Sequence, residues 1–182
     1  MYYAPMIFEK AGASTNAAML EAVAVGVTNL LFTVIAMFFI DNFGRKTLLL
    51  IGAVGMFITL AGAGFHYYDE SFFGSAGIVV FIVAFIAFFA MSQGAVIWVF
   101  LAEIFPKRVR SKGQALGTFT HWIMNAIIGL LFPVALAGVG GGSVFMFFAI
   151  MMIPFFFFVW KIMPETKGKS LEELEKIVVR AK

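Results

Sequence analysis

Cysteine is absent from this chain of 182 residues, which excludes a disulfide framework and thiolate metal sites but leaves the redox compartment open. Charge is scarce as well. Asp, Glu, Lys and Arg make up only 13% of the residues, about half the share in an average soluble domain, so a water-soluble fold around a single core is excluded. Histidine occurs only twice, with no His-Glu-x-x-His pair. A phosphate-cradling glycine loop with its lysine and a nucleophile elbow are missing too. The expectation is therefore a protein that is not an enzyme and holds no metal and no cofactor. Met1-Tyr2-Tyr3-Ala4-Pro5 shows neither a basic leader nor a small-residue cleavage site, so insertion into a membrane is expected to rely on the apolar segments themselves.

What the chain has in abundance is hydrocarbon: 62% of its residues are hydrophobic. Five apolar runs, Met19–Ile40, Thr47–Phe65, Ala76–Ile104, Gly113–Ala137 and Ser143–Met163, each reach the length of about 20 helical residues that a hydrocarbon core requires. The implied fold is all-α, a multi-pass transmembrane helix bundle over residues 1–163. The third run is over-long and must tilt, kink near Gly94 or project beyond the bilayer. Met1–Phe8 reads as the end of a further helix. Residues 164–182 read as a cytoplasmic C-terminal tail: Pro164–Gly168 turns the chain, Ser170 and Glu173 form a capping pair, and Leu171, Leu174, Ile177 and Val178 give a short amphipathic helix its apolar face.

The net charge of +3 is not a nucleic-acid signal, because the cations sit in short clusters between apolar runs. Arg45 and Lys46 follow the first run, Lys107, Arg108, Arg110 and Lys112 the third, and the remaining lysines and Arg180 the fifth. Every cation except Lys10 thus falls on one side, which the positive-inside rule makes cytoplasmic. The partners expected are the lipid bilayer of a cell membrane and a small solute. Glu103 is anomalous, an acid at the end of an apolar run that needs a cation, and Arg110 one loop away is the expected partner.

Polar side chains inside the runs recur at helical steps. Gln114, Thr118, His121 and Asn125 share one face of the fourth run, Asn29 and Thr33 one face of the first, and Ser92 and Gln93 precede Trp98 in the third. Lipid satisfies none of these groups, so they face protein or a water-filled cavity. Interhelical glue accounts for any one of them alone. As a set, with Trp98 away from the interfacial belt, they match a site for a polyhydroxylated, uncharged solute. For His121 a neutral hydrogen-bonding role is favoured over a proton carrier. Gly52, Gly55, Thr59 and Gly62 form a small-residue stripe for close helix packing, and Phe155–Phe158 reads as lipid-facing filler.

Four stretches, Tyr2–Pro5 (YYAP), Asp41–Lys46 (DNFGRK), Trp98–Arg110 (WVFLAEIFPKRVR) and Pro164–Gly168 (PETKG), resemble in order and spacing motifs of the sugar porter branch of the major facilitator superfamily. The resemblance implies the C-terminal six-helix half of such a transporter, helices seven to twelve with most of helix seven missing. It also implies a function, transport of a hexose or pentose by alternating access, as a proton symporter or a facilitative carrier, together with an N-terminal six-helix half. By position it implies that Trp98 and Asn29 line the sugar site. Tyr2 and Tyr3 close it from outside, and Asp41, Arg45, Glu103 and Arg110 form a cytoplasmic charge latch. His121 stands where the family offers Gln or Asn before a tryptophan, here Trp122, and Gly94-Ala95 replaces the usual Gly-Pro. The alternative is an inert fragment or membrane interaction subunit without transport activity of its own.

Overall fold

The computed structural model describes residues 3–10, 14–69, 77–169 and 173–174. They form α1 (Ala4–Lys10), α2 (Thr15–Phe43), α3 (Arg45–His66), α4 (Gly77–Phe89), a π-helical turn (Ala90–Gly94), α5 (Ala95–Glu103), α6 (Arg110–Gly138) and α7 (Gly140–Lys161). Because α4, the π turn and α5 run on as one segment, five segments are long and apolar enough to cross a membrane: Asn16–Phe43, Arg45–His66, Gly77–Glu103, Arg110–Gly138 and Gly140–Lys161. These match the five apolar runs to within about a helical turn at each end. A π turn, Ala90–Gly94, stands at the place where a kink was one of the three alternatives for the over-long run. Of the expected tail helix only Glu173 and Leu174 are described, Leu174 being buried; Leu171, Ile177 and Val178 lie outside the described residues.

Single residues punctuate the helices. Ser14 caps α2, its side chain accepting from the Ala17 N–H at 3.4 Å. Gly44 alone separates α2 from α3, at φ 87°, a left-handed conformation that glycine adopts without steric cost. A Cβ there would also run into the Glu165 carboxylate. Gly140, at φ 81°, similarly opens α7.

α3 is the axle of the bundle, with twelve of its 22 residues buried. Towards its C-terminal end Met56 and Leu60 pack with Phe8 of α1, Val25 of α2, Ile82 and Ile86 of α4 and Phe145 of α7. Towards its N-terminal end Leu48 and Leu49 pack with Ile40, Val96 and Val159. The small-residue stripe explains how α3 comes so close to α4: Gly52 lies against Ser92, Gly55 against Phe88 and Gly62 against Phe81. With no hydrophobic driving force between helices in lipid, such close van der Waals contact is what holds them together.

α6 is the opposite case, since Leu136 is the one buried residue among its 29. The described side chains of α2 bury only Ala18, Val25, Ala36 and Ile40. Both helices therefore turn most of their surface away from the bundle. Gly52→Val should drive a side chain into Ser92 and destabilise the bundle by about 1–3 kcal/mol, read as a lower unfolding midpoint in detergent. Adding Ser92→Gly should recover part of that loss. A Gly52→Val protein as stable as wild type would contradict the contact.

Candidate functional site

Two confluent cavities lie between the helices. One, of about 300 Å³, opens beside the start of α1 at Tyr3, Ala4 and Ile7; the other is larger, about 720 Å³. They share Phe85, Ile86, Phe89, Gln93 and Asn125 in their walls. The polar lining of the larger cavity is Asn29 and Thr33 from α2, Gln93 from the π turn, and His121 and Asn125 from α6, with Trp98 of α5 and Trp122 of α6 as its indole faces. Asn29, Thr33, Gln93, Trp98, His121, Trp122 and Asn125 thus line one space. Its volume falls in the range of about 300–1,000 Å³ usual for small-molecule sites.

Helical steps of four bring Asn29 over Thr33 and His121 over Asn125. The His121 ring sits between two indoles, 5.1 Å from Trp98 at 70° and 5.6 Å from Trp122 at 85°. Among the described residues, none makes a hydrogen bond to the side chains of Asn29, Gln93, His121 or Asn125. Within the described residues, then, these four side chains do not join one helix to another. Ser92, by contrast, does not reach the cavity, since it is buried and donates to the Phe88 carbonyl at 2.6 Å. Gln114 and Thr118 do not line it either; that end of α6 packs on α5 and the loop after it, with Leu101 against Gly117 and Phe105 against Gly113. The phenylalanine run is also not uniform filler. Successive helical residues point about 100° apart, so Phe155 and Phe158 line the large cavity, while Phe156 lies in a groove against Ala53 and Phe57 of α3 and clusters with Phe157 and Trp160.

Tyr3 stands at the smaller cavity, its hydroxyl donating to the Gly129 carbonyl at 2.7 Å and its ring stacked on Phe132 at 5.5 Å, so it ties α1 to α6. Tyr2 lies outside the described residues. Just beyond α3, Tyr67 donates to the Ile7 carbonyl at 3.3 Å, and burial pushes its phenol up to about 12, so it remains a donor at neutral pH.

At the far end of the bundle the charged residues gather on Arg45. Its Nη2 donates to Glu103 Oε1 at 2.7 Å, its Nε to Glu103 Oε2 at 3.2 Å and its Nη1 to Asp41 Oδ1 at 2.9 Å. The bidentate pair with Glu103 is the strong member, because the Asp41 side chain is 77% exposed and an exposed pair contributes little. Glu103 therefore does not pair with Arg110. The loop after Glu103 turns back through a Val109 N–H to Pro106 carbonyl bond of 3.0 Å, and Arg110 Nε donates instead to the Phe105 carbonyl at 3.2 Å. Three of the four expected latch residues are brought together; Arg110 is not among them.

A family model described as "Sugar (and other) transporter" matches residues 1–178. This chain belongs to the sugar transporter family. Among its relatives, the D-xylose-proton symporter of Escherichia coli (strain K12) is 40% identical over 185 residues, covering 97% of this chain and 37% of that protein. The arabinose-proton symporter of Bacillus subtilis (strain 168) is 38% identical over 179 residues, covering 98% of this chain and 38% of that protein. The solved structure of the major facilitator superfamily proton:xylose symporter XylE, bound to 6-bromo-6-deoxy-D-glucose, matches with a TM-score of 0.86 at 40% identity, covering 97% of this chain and 38% of that one. The sugar porter resemblance of the four motifs is thus borne out, and the fold is that of a multi-pass membrane protein. The chain spans well under half the length of the relatives it matches.

Sequence reasoning missed one part of this sugar transporter chain, the strap formed by Glu165, Thr166 and Lys167. Glu165 Oε1 accepts from the backbone N–H groups of Arg45, Thr166 and Lys167, each at 3.0 Å, and Oε2 from that of Lys46 at 3.0 Å. Thr166 Oγ1 donates to Glu103 Oε2 at 2.6 Å, and Lys167 Nζ to the Asn42 carbonyl at 2.6 Å. α3 starts behind a glycine, with no capping side chain of its own, and that was the available signal: its orphan N–H groups need an external acceptor. Glu165→Ala should strand those amides at a cost of about 1–3 kcal/mol and speed hydrogen exchange at Arg45 and Lys46. Unchanged exchange there would contradict the cap.

Proposed function

We propose that the complete carrier to which this chain contributes moves a neutral monosaccharide, pentose or hexose, across a cell membrane by alternating access, with no bond in the solute made or broken. The observation that carries this reading is the set of unbonded polar side chains, Asn29, Gln93, His121 and Asn125, facing one cavity with two indoles. Amides and imidazole pair with hydroxyls in both senses, while an indole receives the apolar face of a sugar ring. No residue described as lining that cavity is charged, which suits an uncharged solute. The names of the xylose and arabinose relatives support coupling to protons.

The bare flanks of α2 and α6 are the surfaces on which an N-terminal six-helix half would close the cavity. Tyr2 and Tyr3 act at the α1 side, which faces outward. Asp41, Arg45, Glu103 and the strap lie on the cytoplasmic side, as the clustering of cations supports, and residues 164–182 are a cytoplasmic tail. There the Arg45–Glu103 pair acts as a latch that is closed in one conformation and hydrated in the other, a difference that solute binding is able to bias.

Trp98→Ala in the complete carrier should abolish sugar uptake into proteoliposomes while leaving insertion intact; normal uptake would remove Trp98 from the site. Uptake should be absent for the 182-residue chain reconstituted by itself. Glu103→Gln should shift the population towards the inward-open state, seen as greater cytoplasmic labelling of the cavity, and unchanged labelling would reject the latch.

A further inference from the structure

Pro133 lies inside α6 and carries no N–H, so the carbonyl of Gly129, four positions earlier, lacks the donor that an α-helix normally supplies. The proline ring also crowds that carbonyl. Within hydrocarbon depth, a carbonyl freed in this way needs a partner from another element. Gly129 has one: the Tyr3 hydroxyl, just ahead of α1, donates to it at 2.7 Å. The Tyr3 ring is at the same time stacked on Phe132, next to the proline, at 5.5 Å and 18°. The other end of α1 is tied to a different neighbour. Tyr67, just beyond α3, donates to the Ile7 carbonyl at 3.3 Å, its ring stacks on Phe145 of α7 at 5.7 Å, and it lies so close to Gly141 that a Cβ there would stand 2.7 Å away. Between the two ties Ala4, Ile7 and Phe8 are buried in the bundle.

We infer that Pro133 is a positioning residue for the outer gate: by giving up one hydrogen bond of α6 it builds the seat that holds Tyr3, and Tyr3 leaves and regains that seat as α1 moves during transport. The inference rests on the carrier reading above, which puts Tyr3 at the outward end of the solute path, and adds the element against which that gate is set. With both ends tied to its own bundle, α1 is folded onto this half of the carrier instead of reaching across to the other. The seated state is therefore the one in which the cavity is reached from outside. Tyr3 and Gly129 share the wall of the smaller cavity, so when Tyr3 leaves, water or a passing sugar hydroxyl takes the carbonyl in its place. One hydrogen bond is exchanged for another, which keeps the seat reversible.

The test is a double-mutant cycle of Tyr3→Phe and Pro133→Ala in the complete carrier, freed of other cysteines and carrying Asn125→Cys as a reporter. Tyr3→Phe removes the donor and keeps the ring, while Pro133→Ala returns an N–H to Gly129 from within the helix. Each single variant should slow labelling of the reporter from outside by an impermeant thiol reagent about threefold or more, and the double variant no further than either. In detergent, Tyr3→Phe should lower the unfolding midpoint by about 2 °C or more while Pro133 is present, because the carbonyl is then stranded, but not in the Pro133→Ala background. Outside labelling that is unchanged or faster in the single variants, effects that multiply in the double variant, or a midpoint shift equal in both backgrounds would overturn the inference. Pro133→Leu, which also restores the N–H, repeats the cycle; a carrier that inserts with neither substitution would show the proline serving the fold alone and would overturn it too. All of these outcomes leave the carrier reading standing. Equilibrium binding of D-xylose and D-glucose to the wild type judges that reading separately, and binding of neither would remove both.

Discussion

Hydrocarbon offers no hydrogen bonds, and the polar side chains in these helices meet that constraint in different ways. Thr59, Ser92 and Thr120 turn back onto carbonyls of their own helix, at 2.6–2.8 Å, and become electrically silent. Arg45, Asp41, Glu103 and Thr166 satisfy one another at the end of the bundle. Asn29, Gln93, His121 and Asn125 do neither, and all four line the same cavity. That sorting separates polar residues bonded within the protein from those left open to the cavity, and it is the ground on which the carrier reading is proposed.

The scaffold that presents those residues depends on α3. Its glycine face lets α4 approach closely, and the π turn that ends that packed stretch places Ser92 against Gly52 while its neighbour Gln93 faces the cavity. One extra residue in a helical turn resets the phase of everything after it, so the buried face of α4 and the Trp98 face of α5 belong to one chain segment with two registers. The N-terminus of α3 is closed by Glu165, over a hundred residues later in the chain, and the same strap reaches Glu103 through Thr166. The helix cap and the ion pair are thus one connected polar cluster, and a movement of α5 against α3 must disturb both.

Much of this was legible in the amino-acid order. Span lengths and the three- and four-residue steps of polar residues are local properties, so the five segments and the faces carrying Asn29, Thr33, His121 and Asn125 were readable directly. Partner choice was not. Glu103 has Arg110 close in sequence, yet it pairs with Arg45, 58 residues away, because the loop at Pro106 turns Arg110 aside and helix packing brings α3 to the end of α5. The phenylalanine run shows the same limit: four identical side chains hide a helical phase that only their neighbours reveal, and Phe155 and Phe158 proved to be wall rather than filler. Ser92 and Gln93, adjacent in sequence and alike in polarity, ended on opposite sides of that distinction because neighbouring residues of a helical turn point in different directions, and composition does not reveal the phase that the π turn sets.

Because this chain has no cysteine, the central claim is accessible to single-cysteine labelling in a complete carrier whose remaining part is likewise freed of cysteine, with a membrane-impermeant thiol reagent applied to either side of the membrane. Asn29→Cys, Gln93→Cys and Asn125→Cys should react and be protected by a transported sugar, while Ile150→Cys and Phe157→Cys, on the exposed face of α7, should stay inert. Equal reactivity in the two sets, or no protection by any pentose or hexose, would show that these polar residues do not enclose a wet, solute-binding space.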